Sequence, residues 1–403
     1  PFSLGGHGAG SIFKVFTTAA AMEQGLGTSA VLPVPPTYQA RGMGSGGARG
    51  CPADAYCVGN AGAYPGALSV ADALAQSPNT TFVKLIAETG VGPTVDMAVR
   101  LGMRSYTKPN TSGFDERSLA DFQKDQNLGS FTLGPTWINP LELANVGATL
   151  ASSGKWCPPS PIDTITDRDG KPVSLTEQAC EQVVDPGLAN SLSVAMSKDD
   201  LPGGTAFSAA NTVSWTRPMS GKTGTTESHF SSGFLGFTNT IAGAAYAFGD
   251  SPNPGEICSF PLRRCGSGNL FGGNEPARTW FQAIDPVVDR FGPVHLPPTD
   301  EKYVRGSQNG QVPDVVGMPE AQARGELERA GFSVSVSSSN SDAPVGTVVS
   351  QAPAGSAVPG SSVTLYISDG TEEPGDGGDR PPAGGLPPIH IPGLPPIQIP
   401  MPR

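Results

Sequence analysis

Charge is scarce in this chain. Only 15% of its 403 residues are Asp, Glu, Lys or Arg, and the balance is acidic, with a formal net charge of -11. No run or stripe of Lys and Arg occurs, which excludes the electrostatic footprint that a nucleic-acid partner demands. No stretch of roughly 18 or more apolar residues exists, so no segment reads as a membrane-spanning helix. Four histidines (His7, His229, His295 and His390) and no C-x-x-C pair leave a zinc site without support. No serine lies in a G-x-S-x-G elbow, which sets aside a Ser–His–Asp hydrolase of that kind. Nothing in the sequence asks for a cofactor or a metal.

Glycine and proline are abundant instead, at 53 and 41 residues, together with six cysteines. The cysteines form local pairs: Cys51 with Cys57, Cys157 with Cys180 and Cys258 with Cys265. About 15 connectivities are possible in principle, but near neighbours in polar, Gly/Pro-rich surroundings favour these three. Paired surface cysteines imply an oxidising compartment, so the protein is expected to work outside the cytoplasm. The chain opens at Pro1, without initiator Met or signal peptide, a few residues before a strongly helical run. It is expected to be the C-terminal part of a larger protein.

Three short motifs stand out in order along the chain: Ser11-x-x-Lys14 in GAGSIFKVFTTAAAME, Ser77-x-Asn79 in ALAQSPNTTFVKL, and Lys222-Thr223-Gly224 in SGKTGTTES. Each alone is weak. Ser152-Ser153-Gly154-Lys155 also fits the first spacing, and Ser251, Ser267 and Ser307 each open a Ser-x-Asn. Context separates them. Ser152 ends an apolar periodic run where Gly154 reads as a helix C-cap. Ser251 and Ser267 lie in Gly/Pro-rich loops. Ser11 opens a run of good helix formers, which puts its hydroxyl at a helix N-terminus.

The ordered set resembles the SxxK, SxN and KTG signature of penicillin-binding proteins and serine β-lactamases. Further likeness to class A penicillin-binding proteins runs through Gly134-Pro135-Thr136 into Asn139-Pro140-Leu141-Glu142-Leu143-Ala144, through Gly233 to Thr238, and through GGNEPARTWFQAI at Gly272 to Ile284. With an Ala/Gly/Pro/Val-rich composition, the chain resembles the C-terminal part of an actinobacterial bifunctional member. The resemblance also implies strands ahead of the SxxK helix, a glycosyltransferase domain and a membrane anchor, none of which this sequence contains. A β-lactamase would need a further base to position water, and no Glu-rich loop follows Ser77-Pro-Asn; Glu142 belongs to the Pro-Leu-Glu helix.

The resemblance implies acyl transfer. Ser11 would attack the carbonyl of the penultimate D-Ala of a peptidoglycan stem peptide, and the acyl group would pass to an amine of a neighbouring stem; β-lactams would acylate the same serine. Serine needs an adjacent base. Lys14, at i+3 on the same helix face, can serve only when neutral, so its pKa must fall from an ordinary ~10.4. Burial and the charge of Lys222 both push that way. Ser77 would relay the proton and Asn79 would hold Lys14 and the substrate amide. Lys222 would attract the substrate's terminal carboxylate, with Thr223 and Thr225 hydroxyls as donors, and Gly224, lacking Cβ, would let an extended substrate approach. The alternative is a non-catalytic fragment that binds cell-wall peptidoglycan.

Composition divides the chain into residues 1–290 (the transpeptidase-like domain, truncated at its front), a linker over 291–308, a small domain over 309–370 and a tail over 371–403. In the first region, helical runs are expected over Ile12–Gln24, Val70–Gly90, Pro140–Ser153 and Gly187–Ser197. Strands are expected over Thr212–Trp215, Met219–Thr226, Gly233–Thr238 and Thr240–Phe248. The fold class is therefore α+β, an antiparallel sheet with helices on both sides. Tyr38–Pro65 and Asp250–Asn274 read as surface loops, each stapled by a cysteine pair. From Val312 the chain reads as a βαββ unit, with a helix over Pro319–Ala330 and strands over Ser333–Val336, Thr347–Gln351 and Val363–Ile367. The Val-Pro-Asp-Val-Val-Gly opening, Gly346-Thr347-Val348-Val349, Gln351-Ala352-Pro353-Ala354-Gly355 and the closing Val-Thr-Leu-Tyr-Ile closely resemble a PASTA domain, which implies peptidoglycan as a possible ligand. The Pro-rich tail, with LPPIHIPG and LPPIQIP, reads as disordered with polyproline II character. The expected location is the cell-wall side of a membrane-anchored parent.

Overall fold

The computed structural model describes residues 8–162, 164–173, 178–249, 256–257 and 270–371. Cys258, Cys265, His7, His390, Ser251, Ser267 and the Pro-rich tail lie outside the described residues.

A turn of 3-10 helix, Gly10–Phe13, leads into α1 (Lys14–Glu23), which is buried from Lys14 to Met22. Short strands follow: β1 (Val31–Pro33), β2 (Thr37–Arg41), β3 (Gly46–Gly47), β4 (Ala55–Gly59) and β5 (Ala67–Ser69). The helical layer continues with α2 (Val70–Gln76), α3 (Asn79–Thr89), α4 (Val91–Leu101), α5 (Leu119–Asp125) and α6 (Pro140–Ala151). After the small pair β6 (Lys155–Trp156) and β7 (Glu181–Gln182) come α7 (Pro186–Ala195) and α8 (Phe207–Asn211). The main sheet is β8 (Ser220–Thr225), β9 (Ser231–Phe237) and β10 (Ala242–Phe248), antiparallel in the order β10-β9-β8, followed by α9 (Glu275–Ile284).

Period-two alternation on β9 explains the layering. Leu235 and Phe237 enter the core shared with α6, whose Gly147 leaves room for both rows, because a Cβ there would stand 3.1 Å from Leu235 and 3.2 Å from Phe237. Phe234 points the other way, into a second core with Trp280 and Phe281 of α9. Helices thus cover both faces, while β8 stands at one edge of the sheet.

Four expectations need correction. Val70–Gly90 is two helices rather than one, because Ser77 adopts φ 65° at the C-cap of α2 and Pro78 starts a new helix without a donor N–H. Thr212–Trp215 forms turns behind α8 rather than a strand; Val213 and Trp215 N–H both bond back to Ala210 O, and Trp215 fills the second core. Tyr38–Pro65 contains the three-stranded sheet β2-β4-β3, with Cys51 bridged to Cys57 beside it. The stretch expected as a linker folds back. Its helix α10 (Glu301–Arg305) buries Tyr303 in the main core, and the backbone N–H groups of Thr28 and Ser29 bond to Tyr303 O and Val304 O. Cys157 is bridged to Cys180, as expected.

The C-terminal unit comprises β11 (Gln311–Val312), α11 (Glu320–Arg329), β12 (Ser333–Ser339), β13 (Val348–Ala352), β14 (Gly355–Ser356) and β15 (Ser362–Ser368), with sheet order β12-β15-β13. Val312, Leu327, Phe332, Val363 and Leu365 supply its core. Val348 joins them, beside a register shift between Val348 and Ser350. This unit is not suspended: Val31 pairs with Ala354, and Gly27 N–H donates to Ser356 Oγ at 2.8 Å.

Candidate active site

The SxxK turn is held by backbone contacts that exclude side chains. Gly10 has φ 60°, and a Cβ on it would fall 2.6 Å from the backbone of Thr225. A Cβ on Gly224 would fall 1.9 Å from Ala9 O and 3.0 Å from Ile12. Gly224 therefore serves the close packing of β8 onto the turn that carries Ser11. That corrects the expectation that its missing Cβ makes room for substrate. Gly134, with φ 57°, completes the packing by accepting the Gly10 N–H at 3.1 Å. Phe13 anchors the turn edge-on against Phe16 and Phe131, each at 5.1 Å. Ser11 is neither an N-cap nor fully buried. Among the described residues its hydroxyl has no hydrogen-bond partner, and it lines a cleft of about 480 Å³.

Lys14 is wholly buried and donates to Ser77 O at 2.7 Å, Ser77 Oγ at 3.0 Å and Asn79 Oδ1 at 2.9 Å. Its ammonium also lies 5.3 Å from the centre of the Phe82 ring. Lys222, equally buried on β8, donates to the same Ser77 Oγ at 2.9 Å and to Thr223 O at 3.1 Å. One hydroxyl thus bridges two buried amines. Since it accepts from both, its own proton is available to the cleft. The left-handed backbone at Ser77 places it there, between the end of α2 and the start of α3.

Burial, and then the charge of Lys222, hold Lys14 well below the ordinary lysine range. Burial brings Lys222 down to about 8, against the opposing pull of Asp199. Asp199 carries no sequence signal, standing 23 residues before Lys222 in a Lys-Asp-Asp run. Burial raises its pKa, and it accepts from Thr205 Oγ1 at 2.5 Å; Thr205 Oγ1 is in turn 2.5 Å from Thr223 Oγ1. The hydroxyl of Thr223 is therefore engaged with Thr205. That of Thr225 accepts the Gly272 N–H at 3.1 Å and keeps its proton for a ligand.

The three motifs, far apart in sequence, thus meet in one cleft: Ser11, Ser77, Asn79, Thr223, Gly224 and Thr225 line it, with the amines of Lys14 and Lys222 behind Ser77. Glu142 does not reach it. Its carboxylate accepts the Ser105 N–H at 2.8 Å and the Ser105 hydroxyl at 2.6 Å, tying α6 to a neighbouring turn. Among the described residues, no group of three or more His, Cys, Asp or Glu could hold a metal ion, and no helix is long and apolar enough to cross a membrane.

The penicillin binding protein transpeptidase domain family matches residues 8–249, more than half of the chain. The chain belongs to that family. The PASTA domain family matches residues 310–369. Among curated relatives, penicillin-binding protein 1A of Neisseria meningitidis serogroup A is 29% identical over 248 residues, covering 60% of this chain and 28% of the relative. Penicillin-binding protein 1A of Mycobacterium tuberculosis is 24% identical over 298 residues, covering 70% and 32%. The chain thus spans about a third of the length of these members. In fold, it resembles the structure of the penicillin-binding protein PonA1 from Mycobacterium tuberculosis, with a TM-score of 0.58, 20% identity and coverage of 79% of this chain and 77% of that one. It also resembles an imipenem acyl-enzyme complex of penicillin-binding protein A from the same organism, with a TM-score of 0.52, 21% identity and coverage of 70% and 61%.

Within this transpeptidase family member, the residues that sequence reasoning missed are of two kinds. Gly10 and Gly134 act through positive φ and close backbone approach, and Gly10 adjoins the motif without belonging to it. Asp199 and Thr205 support β8 from a separate turn, so their partnership with Thr223 exists only in three dimensions.

Proposed function

We propose that the chain is a serine-type D-Ala-D-Ala transpeptidase that cross-links peptidoglycan and binds penicillin covalently at Ser11. The observation that carries this reading is the single hydroxyl, Ser77 Oγ, within 3.0 Å of two buried lysine amines beside an open serine. Lys14, neutral in the reactive form, takes the Ser11 proton as Oγ attacks the penultimate D-Ala carbonyl. The negative charge that develops on the carbonyl oxygen is met by the backbone N–H groups of Ser11 and Thr225, kept adjacent by the Gly10 packing. Ser77 passes the proton to the leaving amine, the terminal D-Ala departs, and an acyl-Ser11 ester remains. Charged Lys222 and the Thr225 hydroxyl attract the terminal carboxylate, and the edge of β8, which pairs with no further strand among the described residues, offers its backbone to an extended peptide. A β-lactamase reading gains no support from Glu142, which is spent on Ser105.

The protein's place is the extracytoplasmic, cell-wall side of a membrane-anchored parent, and the PASTA domain is a candidate peptidoglycan contact. Intact-mass measurement after incubation with penicillin tests the chemistry. One acyl group should be added at Ser11. The addition should be lost in Ser11→Ala and in Lys14→Ala, and kept in Ser152→Ala. Labelling that survives Ser11→Ala would overturn the assignment, and an unlabelled but folded chain would favour a non-catalytic wall-binding protein.

A further inference from the structure

Beside β8 lies a carboxylate that the acylation chemistry does not use. Asp199 is 1% exposed, and its Oδ1 accepts the Thr205 N–H at 3.2 Å and the Thr205 hydroxyl at 2.5 Å. Its Oδ2 is buried without a hydrogen bond among the described residues. Thr205 Oγ1 also stands 2.5 Å from Thr223 Oγ1, and both threonines line the cleft of Ser11. The backbone holds these groups in place. A Cβ on Gly204 would fall 2.3 Å from Asp199 O, and the Thr205 N–H also reaches Ala75 O, on the last turn of α2.

The Thr205 hydroxyl has one proton and two close oxygens, so the row of groups has a direction. An ionised carboxylate only accepts. With Asp199 ionised, Thr205 donates to Oδ1 and accepts from Thr223, which then turns a lone pair toward the cleft. A carboxylate seated beside Thr223 is repelled by that lone pair. With Asp199 protonated on Oδ1 every donor reverses: Asp199 donates to Thr205, Thr205 to Thr223, and Thr223 to the ligand. We infer that Asp199 and Thr205 are positioning residues that set the polarity of the Thr223 hydroxyl, so that a carboxylate held there is taken up together with one proton on Asp199. The proton comes from solvent, and no covalent bond between heavy atoms changes. The Thr225 hydroxyl accepts the Gly272 N–H and keeps its proton for the ligand in either state. The inference rests on the reading that a carboxylate-ended donor lies against β8.

Few charges act on Asp199. Burial raises its pKa, and the charge of Lys222 on β8 opposes the rise. On its own turn, burial brings Asp200 up to about 7, with the charge of Asp199 adding to it, and Lys198 is tied to Asp72 of α2. Helix α7, packed beside the turn, carries no titratable side chain. The protonated form of Asp199 is therefore gained as pH falls through a value raised by burial.

The test isolates carboxylate recognition. The second-order rate of Ser11 acylation is measured on the whole chain for penicillin and for its methyl ester, which has no carboxylate. Their ratio cancels the protonation of Lys14 and the fraction of folded enzyme. In the unmodified chain the ratio should climb about 10-fold below neutral pH as Asp199 gains its proton, the lower end for a hydrogen bond to a charged group. Thr205→Val frees the Thr223 proton, so its ratio should already be about 10-fold higher at neutral pH and level below it. Thr205→Ser, which keeps the hydroxyl, should restore the unmodified profile. Asp199→Asn, whose amide donates to Thr205, should also raise the ratio at neutral pH, whereas loss of the counter-charge on Lys222 alone would lower it. A neutral-pH ratio that Thr205→Val leaves unchanged or lowers overturns the polarity. Should that variant not fold, a ratio unchanged or lowered in Asp199→Asn overturns it in the same way. Penicillin that adds nothing to Ser11 in the unmodified chain overturns instead the reading on which the inference rests.

Discussion

Replacing Ser77 separates what its hydroxyl does from what its backbone does. The residue sits at φ 65°, a conformation that costs a residue with a Cβ roughly 1–2 kcal/mol. Its Oγ lies 3.0 Å from Lys14 Nζ and 2.9 Å from Lys222 Nζ. Ser77→Ala removes the hydroxyl and keeps the strain. Lys14 then retains Ser77 O and Asn79 Oδ1, whereas Lys222 retains Thr223 O. A hydrogen bond to a charged group contributes about 1.5–3 kcal/mol. With both amines held below their ordinary range and able to shed a proton, the loss should lie near the bottom of that range, at about 2 kcal/mol. Ser77→Gly removes the same hydroxyl but relieves the backbone. The relief of roughly 1–2 kcal/mol is offset by about 0.5–1 kcal/mol of added freedom in the unfolded chain. The glycine variant should therefore be about 0.5–1 kcal/mol more stable than the alanine variant, a difference of about 2 °C in thermal midpoint for a domain of this size.

Acylation should not follow stability. If the hydroxyl carries the proton, both variants lose about 10²–10⁴-fold in the second-order rate of penicillin acylation, the usual span for a general acid–base group. That rate is read by intact mass under pseudo-first-order conditions, with the thermal midpoint taken on the same samples. A glycine variant that regains acylation along with stability would refute the relay and leave Ser77 with a purely structural task.

Acylation should also trace a bell in pH: the rising limb reports Lys14 losing its proton, since only the neutral amine accepts one, and the falling limb near pH 8 reports Lys222 losing the charge that holds a carboxylate. Lys222→Arg should carry the falling limb to higher pH, and a flat profile from about pH 6 to about pH 10 would sink the assignment of roles. At the junction with the PASTA domain, Tyr303→Ala should destabilise the catalytic part by about 3 kcal/mol, near the lower end for truncation of a buried aromatic. Ser356→Ala, which leaves the buried Gly27 N–H without its acceptor, should cost about 1–3 kcal/mol. Calorimetry should show that both substitutions lower the transition of the catalytic part. A PASTA transition that shifts alone in Ser356→Ala would show that the contact contributes nothing across the junction.

How much of this was legible in sequence depended on the range over which each residue acts. Ser11 and Lys14 are three apart on one rigid turn, so spacing alone placed them together. The helices near Ile12–Gln24, Pro140–Ser153 and Gly187–Ser197 and the strands from Ser220 to Phe248 follow from sequence pattern, whereas α4, α5 and α8 were not foreseen. The break at Ser77 was locally encoded by Pro78, yet the apolar pattern of Val70 to Gly90 continues across it and hid the turn that aims the hydroxyl. Tyr303 stands in a polar, Pro-rich stretch. Composition there suggested a linker, while a single buried aromatic was enough to fold the segment back.

Glycine shows where reading by residue type reaches its end. Gly224 was correctly singled out and wrongly explained: its missing Cβ admits Ala9 of the same chain, not a ligand. The distinction has a chemical consequence. If the space at Gly224 served only substrate, a larger residue there would weaken binding and leave the site intact. With Ala9 O 1.9 Å from where a Cβ on Gly224 would stand, and the Thr225 backbone 2.6 Å from where one on Gly10 would stand, any side chain at either position drives the nucleophile's turn away from β8. The motif's third residue is thus bound to its first by packing as well as by chemistry. Short signatures spread over two hundred residues can describe one site because the backbone between Ala9 and Thr225 leaves no room for them to vary separately.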